Sequence, residues 1–158
     1  MASQGYPLIN DISTDRERAP VYLVQPPSHP AYDAARLAAV TEAAYSDLVN
    51  LESARPPAEV FAAVEALVAE RGWRVRARAA GAPASGAAQP PSPWRLQALA
   101  VTDVLRFKDD LALEVRPRPG GGSSVAMRSK SRLGLSDWGA NAKRIRAFFA
   151  DLRGRLGE

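Results

Sequence analysis

Between positions 73 and 78 the chain reads Trp-Arg-Val-Arg-Ala-Arg, apolar and cationic side chains in strict alternation. That period of two predicts a half-buried strand with its arginines outward. Just ahead of it, Val60, Phe61, Val64, Leu67 and Val68 recur at helical spacing, with Pro57 suited to the first turn and Gly72 to the stop. A more modest stripe, Leu37, Val40, Ala44 and Tyr45, predicts a helix over 32–45. Further strands are expected over 95–107 and 111–116, joined by a tight connection at Lys108-Asp109-Asp110. In the second of these, Leu111, Leu113 and Val115 share one face, and Ala112, Glu114 and Arg116 share the other. A turn over 117–124 holds three consecutive glycines, and 125–132 completes the strands. The C-terminal helix starts near Ser136 or Asp137, either of which suits its positive end. Its stripe is Ala142, Ile145, Phe148, Phe149, Leu152 and Leu156. One turn back from Ile145 lies Asn141, a polar side chain at the core edge that must find hydrogen-bond partners.

This order implies an α+β fold, a four-stranded antiparallel sheet with helices packed on one face. Residues 1–30 read as an extended N-terminal arm: 10–15 are turn-formers, and Pro20, Pro26, Pro27 and Pro30 forbid a helix. Tyr6, Leu8, Ile9, Ile12, Val21, Tyr22 and Leu23 favour docking of that arm on the rest. Residues 31–158 then form one domain, with 80–93, rich in Ala, Gly, Pro and Ser, as a mobile loop inside it.

Composition narrows the chemistry. A chain of 158 residues can bury one core. It has no cysteine, so disulfides, thiolate metal sites and Cys nucleophiles are excluded. The single histidine, His29, sits among prolines and is expected to be an exposed loop residue. A His-based zinc site or a Ser-His-Asp triad would rest on it alone. No run approaches the ~18 apolar residues that span a bilayer, and no basic region precedes an apolar core at the start, so the chain is expected to be soluble. The net charge of +4 is uneven. Residues 94–158 hold 13 Lys/Arg against 7 Asp/Glu, and residues 1–93 hold 8 against 10. Because the cations alternate with apolar residues at strand spacing, nucleic acid is a poor expectation, although phosphates or anionic lipid suit the sign.

The densest polar cluster runs from Arg128 to Arg144. Ser129 and Ser131 continue the face of Val125 and Met127, and Arg128, Lys130 and Arg132 point the other way. The spacing Arg-Ser-x-Ser-Arg-x-Gly-x-Ser-Asp-x-Gly-x-Asn-x-x-Arg-Ile over 128–145 resembles the signature of the DUF1499 family, whose function is unknown. Phe107-Lys108-Asp109-Asp110 is similar to that family's Phe-x-Asp-Asp hairpin, and residues 10–15, Asn-Asp-Ile-Ser-Thr-Asp, to its N-terminal motif. The resemblance implies an accessory role near the cell envelope, since related chains often carry membrane-spanning segments ahead of that N-terminal motif. Without such a segment a cytoplasmic location is the alternative.

Three readings of the cluster follow. Asp109, Asp110, Arg128, Arg132, Asp137, Asn141 and Arg144 can form a structural network at the junction of the last strand and last helix. The same groups, with Ser129 and Ser131, can surround a pocket for a small anionic or amphipathic, lipid-like ligand, arginine forks being suited to carboxylate or phosphate; a membrane-associated protein is the other partner considered. Or Asp109 and Asp110 can act as acid and base in a small-molecule hydrolase or transferase, although neighbours in a strand point to opposite faces. The non-enzymatic binding domain is the main expectation, with no catalytic residue, metal or cofactor assigned.

Overall fold

A computed structural model describes residues 5–27, 30–83, 85 and 89–158. In it the chain runs β1 (Asp11–Ser13), α1 (Ala34–Ala44), β2 (Leu51–Ser53), α2 (Pro57–Glu70), β3 (Arg74–Ala79), β4 (Trp94–Val101), β5 (Lys108–Pro117), β6 (Ser123–Ser131) and α3 (Ala140–Leu156). All pairings are antiparallel, in the order β1-β6-β5-β4-β3, and β2 lies beyond β1 along the same edge of β6. The α+β class holds, but the sheet has six strands instead of four. The two additional strands are three residues each, too short to show a period. Each is defined by its partner: Ile12 lies opposite Ser129, and Leu51 opposite Val125.

Alternation along the three long strands assigns the two faces. Leu96, Ala98, Leu111, Leu113, Val115, Val125 and Met127 meet Val60, Val64, Leu67 and Val68 of α2 and Ile145, Phe148 and Leu152 of α3 in one buried core. Trp73 stacks on Phe148 within it, ring centroids 5.5 Å apart. Burying a side chain of this size stabilises by roughly 1.5–3 kcal/mol, so this layer dominates the stability.

The opposite face is also covered, and its cover corrects the picture of residues 1–30 as an arm. Residues 11–13 are a strand of the sheet, and the segment after them is hydrogen-bonded across it. Gln97 exchanges two hydrogen bonds with the Val24 backbone, at 2.8 and 2.7 Å. The Val21 N–H donates to Glu114, and the Tyr22 hydroxyl to the Asp110 carbonyl. Prolines exclude a helix here, but side chains of the sheet supply the backbone's partners. His29 lies outside the described residues.

Three local expectations also change. The connection placed at Lys108-Asp109-Asp110 is residues 102–107, and both aspartates lie within β5, opposite Ala100 and Leu99 of β4. The amide of Phe107 donates to Thr102 Oγ1, closing that turn. In β3 a bulge between Val75 and Ala77 breaks the alternation, so Arg78 lies opposite Leu96 on the helix side and pairs with Glu65 of α2 at 2.9 Å. In α1 the buried residues are Leu37 and Thr41, and Val40 is exposed. Asp33 caps this helix by accepting from the Arg36 N–H.

Candidate functional site

The parity of β6 decides where the candidate residues lie. Ser129 and Ser131 point to the helix side with Met127, and Asp109 of β5 joins them opposite Ser131. Arg128 and Arg132 point to the other side, as does Asp110, opposite Lys130. The nine candidates therefore form two clusters separated by the sheet.

On the helix side, Asn141 is the hub. It is fully buried, and Ser129 Oγ donates to its Oδ1 at 2.5 Å. Its Nδ2 donates to Ser131 Oγ at 2.9 Å and to the Asn10 carbonyl at 3.3 Å. Arg144, one turn on, donates Nη1 to Ser129 Oγ and Asn141 Oδ1, and Nη2 to Asp109 Oδ2 at 2.6 Å. Asp137 anchors the helix start. Its carboxylate accepts from the Gly139 N–H at 2.9 Å and from the Asn141 N–H at 3.1 Å. The formal helix cap is Gly139, with φ of 79°, and a Cβ there would lie 2.6 Å from the Tyr6 ring, so both conformation and space select glycine. Asp137 thus does the work of a cap from outside the helix.

On the other side, Arg128 and Asp11 form a buried two-pronged pair at 2.9 and 2.8 Å. The guanidinium lies between two rings, 4.8 Å from the Tyr22 centroid and 5.4 Å from that of Tyr32. Burial works against the charge on Arg128, but Asp11 outweighs it and holds the guanidinium pKa above its ordinary value. Burial also drives the Tyr22 hydroxyl well above the normal phenol range and pulls Lys130 below the normal amine range. Arg132 makes a second fork to Asp110, at 2.8 and 3.0 Å. Further along, Arg116 joins Asp15 to Glu114.

All three candidate arginines thus carry internal carboxylates in their forks. Asp109 and Asp110 point to opposite faces, each paired with a different arginine, and share no space in which one substrate atom could lie between them. Among the described residues no group of three or more His, Cys, Asp or Glu side chains could hold a metal ion.

Beside the helix-side cluster is a cavity of about 220 Å³ that the sequence did not reveal as such. Asp109, Ser131 and Asp137 contribute its polar wall. Phe107, Leu133 and Trp138 form an apolar rim; Lys108 is also among the lining residues, at the exposed start of β5, and makes no ion pair among the described residues. The rim comes from the 102–107 turn and the residues between β6 and α3, which no periodicity places near each other.

Residues 10–15, 107–110 and 128–145, distant in the chain, thus converge on the two sides of β1, β5 and β6. A sequence model of a family described as a protein of unknown function, DUF1499, matches residues 11–152. The chain belongs to the DUF1499 family. No curated protein and no solved structure matches it. In this DUF1499 chain the family match takes in both clusters, including Asp11, which the reading of residues 128–144 left out although it lies in the N-terminal motif. Among the described residues no helix is long and apolar enough to cross a membrane.

Proposed function

We propose that this DUF1499 chain is a non-enzymatic binding domain whose 220 Å³ cavity takes a small amphipathic acid. The observation that carries the reading is the pairing, in one lining, of an apolar rim (Phe107, Leu133, Trp138) with one cationic residue, Lys108, that has no ion pair among the described residues. Asp109 is neutralised by Arg144, and Asp137 is engaged by two amide N–H groups, so Lys108 is the one charged residue of the lining without such a partner among the described residues, and in this reading its flexible stem brings the ammonium to the ligand's acid group. The volume lies below the roughly 300–1,000 Å³ of drug-sized sites, which favours a short chain over a full lipid. The arginine forks of the signature serve the walls in this reading: Arg144 fixes Asp109 and Asn141, and Arg132 and Arg128 brace the far side of β6. A setting at the cell envelope, where amphipathic acids gather, belongs to the same reading.

Decanoate is a suitable probe. It should raise the melting temperature and change the emission of Trp138 at the rim. Lys108→Ala should weaken binding about tenfold or more, Ala140→Leu should fill the mouth and abolish it, and both variants should melt like the parent in the absence of decanoate. Binding that is unchanged in both variants, or no binding by the parent to decanoate, decanoyl phosphate or decylamine, would sink the reading. Preference for the amine would overturn the assignment of Lys108.

A further inference from the structure

Three loops meet at one end of the sheet: residues 5–10, the 102–107 turn, and residues 132–139. They are tied together by hydrogen bonds from Asn10 Nδ2 to the Gly134 carbonyl, from the Asp137 N–H to the Ile9 carbonyl, and from Ser136 Oγ to the Pro7 carbonyl. Phe107 and Leu133 across the cavity bring the 102–107 turn alongside. On these loops Leu8, Val104, Leu105, Leu133, Leu135 and Trp138 all stand in solvent, with Val104 88%, Leu135 81% and Trp138 76% exposed. One exposed leucine is ordinary, but the six most exposed large apolar side chains among the described residues all fall on these three adjoining loops, which marks a surface that something covers.

The charges at this end select the cover. Arg106, Lys108 and, in the first turn of α3, Lys143 are exposed and make no ion pair among the described residues, and the 102–107 turn also carries the acid Asp103. A second copy docked by symmetry would set these cations against their own counterparts. A surface dense in phosphates would complement them. Arg106 and Trp138, at φ of 55° and 54°, are also the non-glycine residues in the left-handed region among those described. That conformation is unfavourable for bulky side chains, and here it holds a cation and an indole at the surface of two different loops. Projecting tips of Val, Leu and Trp ringed by Lys and Arg match the interfacial zone of a bilayer, where indole and cationic side chains both find suitable surroundings.

We propose that this end of the DUF1499 chain docks on an anionic lipid surface, with Val104, Leu133, Leu135 and Trp138 entering the headgroup region and Arg106, Lys108 and Lys143 meeting phosphates. The inference goes beyond the cavity reading and does not require it.

The test uses the full chain with vesicles of phosphatidylcholine and phosphatidylglycerol in equal parts, and with phosphatidylcholine alone. Expected results are flotation with the anionic vesicles, a blue shift of Trp138 emission that is lost in Trp138→Phe, and weakening by added salt. Val104→Ser combined with Leu135→Ser should reduce partitioning at least tenfold, as should Arg106→Glu combined with Lys143→Glu, while the melting temperature holds. None of these four residues lines the cavity, so decanoate binding should be unaffected, and failure of either proposal leaves the other standing. Absence of flotation, equal binding to both vesicle types, or a concentration-dependent dimer dispersed by Leu135→Ser would overturn the proposal, the last by showing that a second copy covers the patch.

Discussion

Arg128 is one of five consecutive basic or hydroxyl side chains that look alike in sequence, yet it is 3% exposed and holds Asp11 in a two-pronged pair between two tyrosine rings. Removing one partner of such a pair strands the other charge, so Arg128→Met should cost about 3–5 kcal/mol in urea denaturation. Adding Asp11→Leu should recover most of that loss, because the uncompensated carboxylate is then gone. Arg128→Lys should behave more like Arg128→Met than like the parent, since an ammonium offers neither the fork nor the flat face that the rings contact. A lysine variant as stable as the parent would show that charge alone matters here.

Asp15 has a pH signature of its own. Burial raises its pKa, but the Arg18 N–H, Arg116 and Asn50 outweigh burial and hold it below the ordinary carboxylate value. A lowered folded-state pKa contributes stability that is fully present above the unfolded value and is lost as pH falls through the folded one. Stability of the parent should therefore decline more steeply below about pH 4 than that of Asp15→Asn, which is less stable at neutral pH. Parallel stability–pH curves for the two proteins would refute this assignment.

At the scale of elements, the start of α3 shows how the fold is specified. Asp137→Ala should cost about 1 kcal/mol, the usual loss of a cap, because two amides lose their acceptor. Asn141→Ala should cost more, roughly 1–3 kcal/mol, since Ser129, Ser131, Arg144 and the Asn10 carbonyl all lose a partner in a buried place. Calorimetric melting orders the two, and the reverse order would remove Asn141 from its position as hub. The polar interruption in the α3 stripe was legible because helical spacing placed Asn141 where an apolar residue belongs. α2, α3 and the faces of β5 and β6 were legible for the same reason: long segments repeat their pattern several times. β1 and β2 repeat nothing in three residues, and the bulge near Arg76 leaves the written alternation intact while turning Arg78 over. The 102–107 turn was hidden because Val104, Leu105 and Phe107 look like strand residues and are instead exposed at a tip.

Across the whole molecule, the family signature is divided by the sheet. Its serines, Asn141, Arg144 and Asp109 fasten α3 to the helix side of β5 and β6; on the opposite side Arg128 fastens Asp11 of β1, and Arg132 ties the end of β6 to Asp110 of β5. Alternation along β6 contains this division, but a polar run dense in arginine and aspartate invites reading as one site. The two readings differ in a measurable way. Arg132 and Arg144 share no partner, one pairing with Asp110 and the other with Asp109, Ser129 and Asn141. In a double-mutant cycle of Arg132→Ala and Arg144→Ala the stability losses should add to within about 0.3–0.5 kcal/mol. Arg144→Ala and Asp109→Ala, in contrast, remove the two halves of one ion pair and should show a coupling of roughly 0.5–3 kcal/mol. Decanoate binding should follow the same division: weakened by Arg144→Ala, whose loss frees the Asp109 charge in the cavity wall, and unmoved by Arg132→Ala once the protein is folded. Strong coupling between Arg132 and Arg144 would mean that the sheet transmits what the geometry separates, and the signature would then act as a single unit after all.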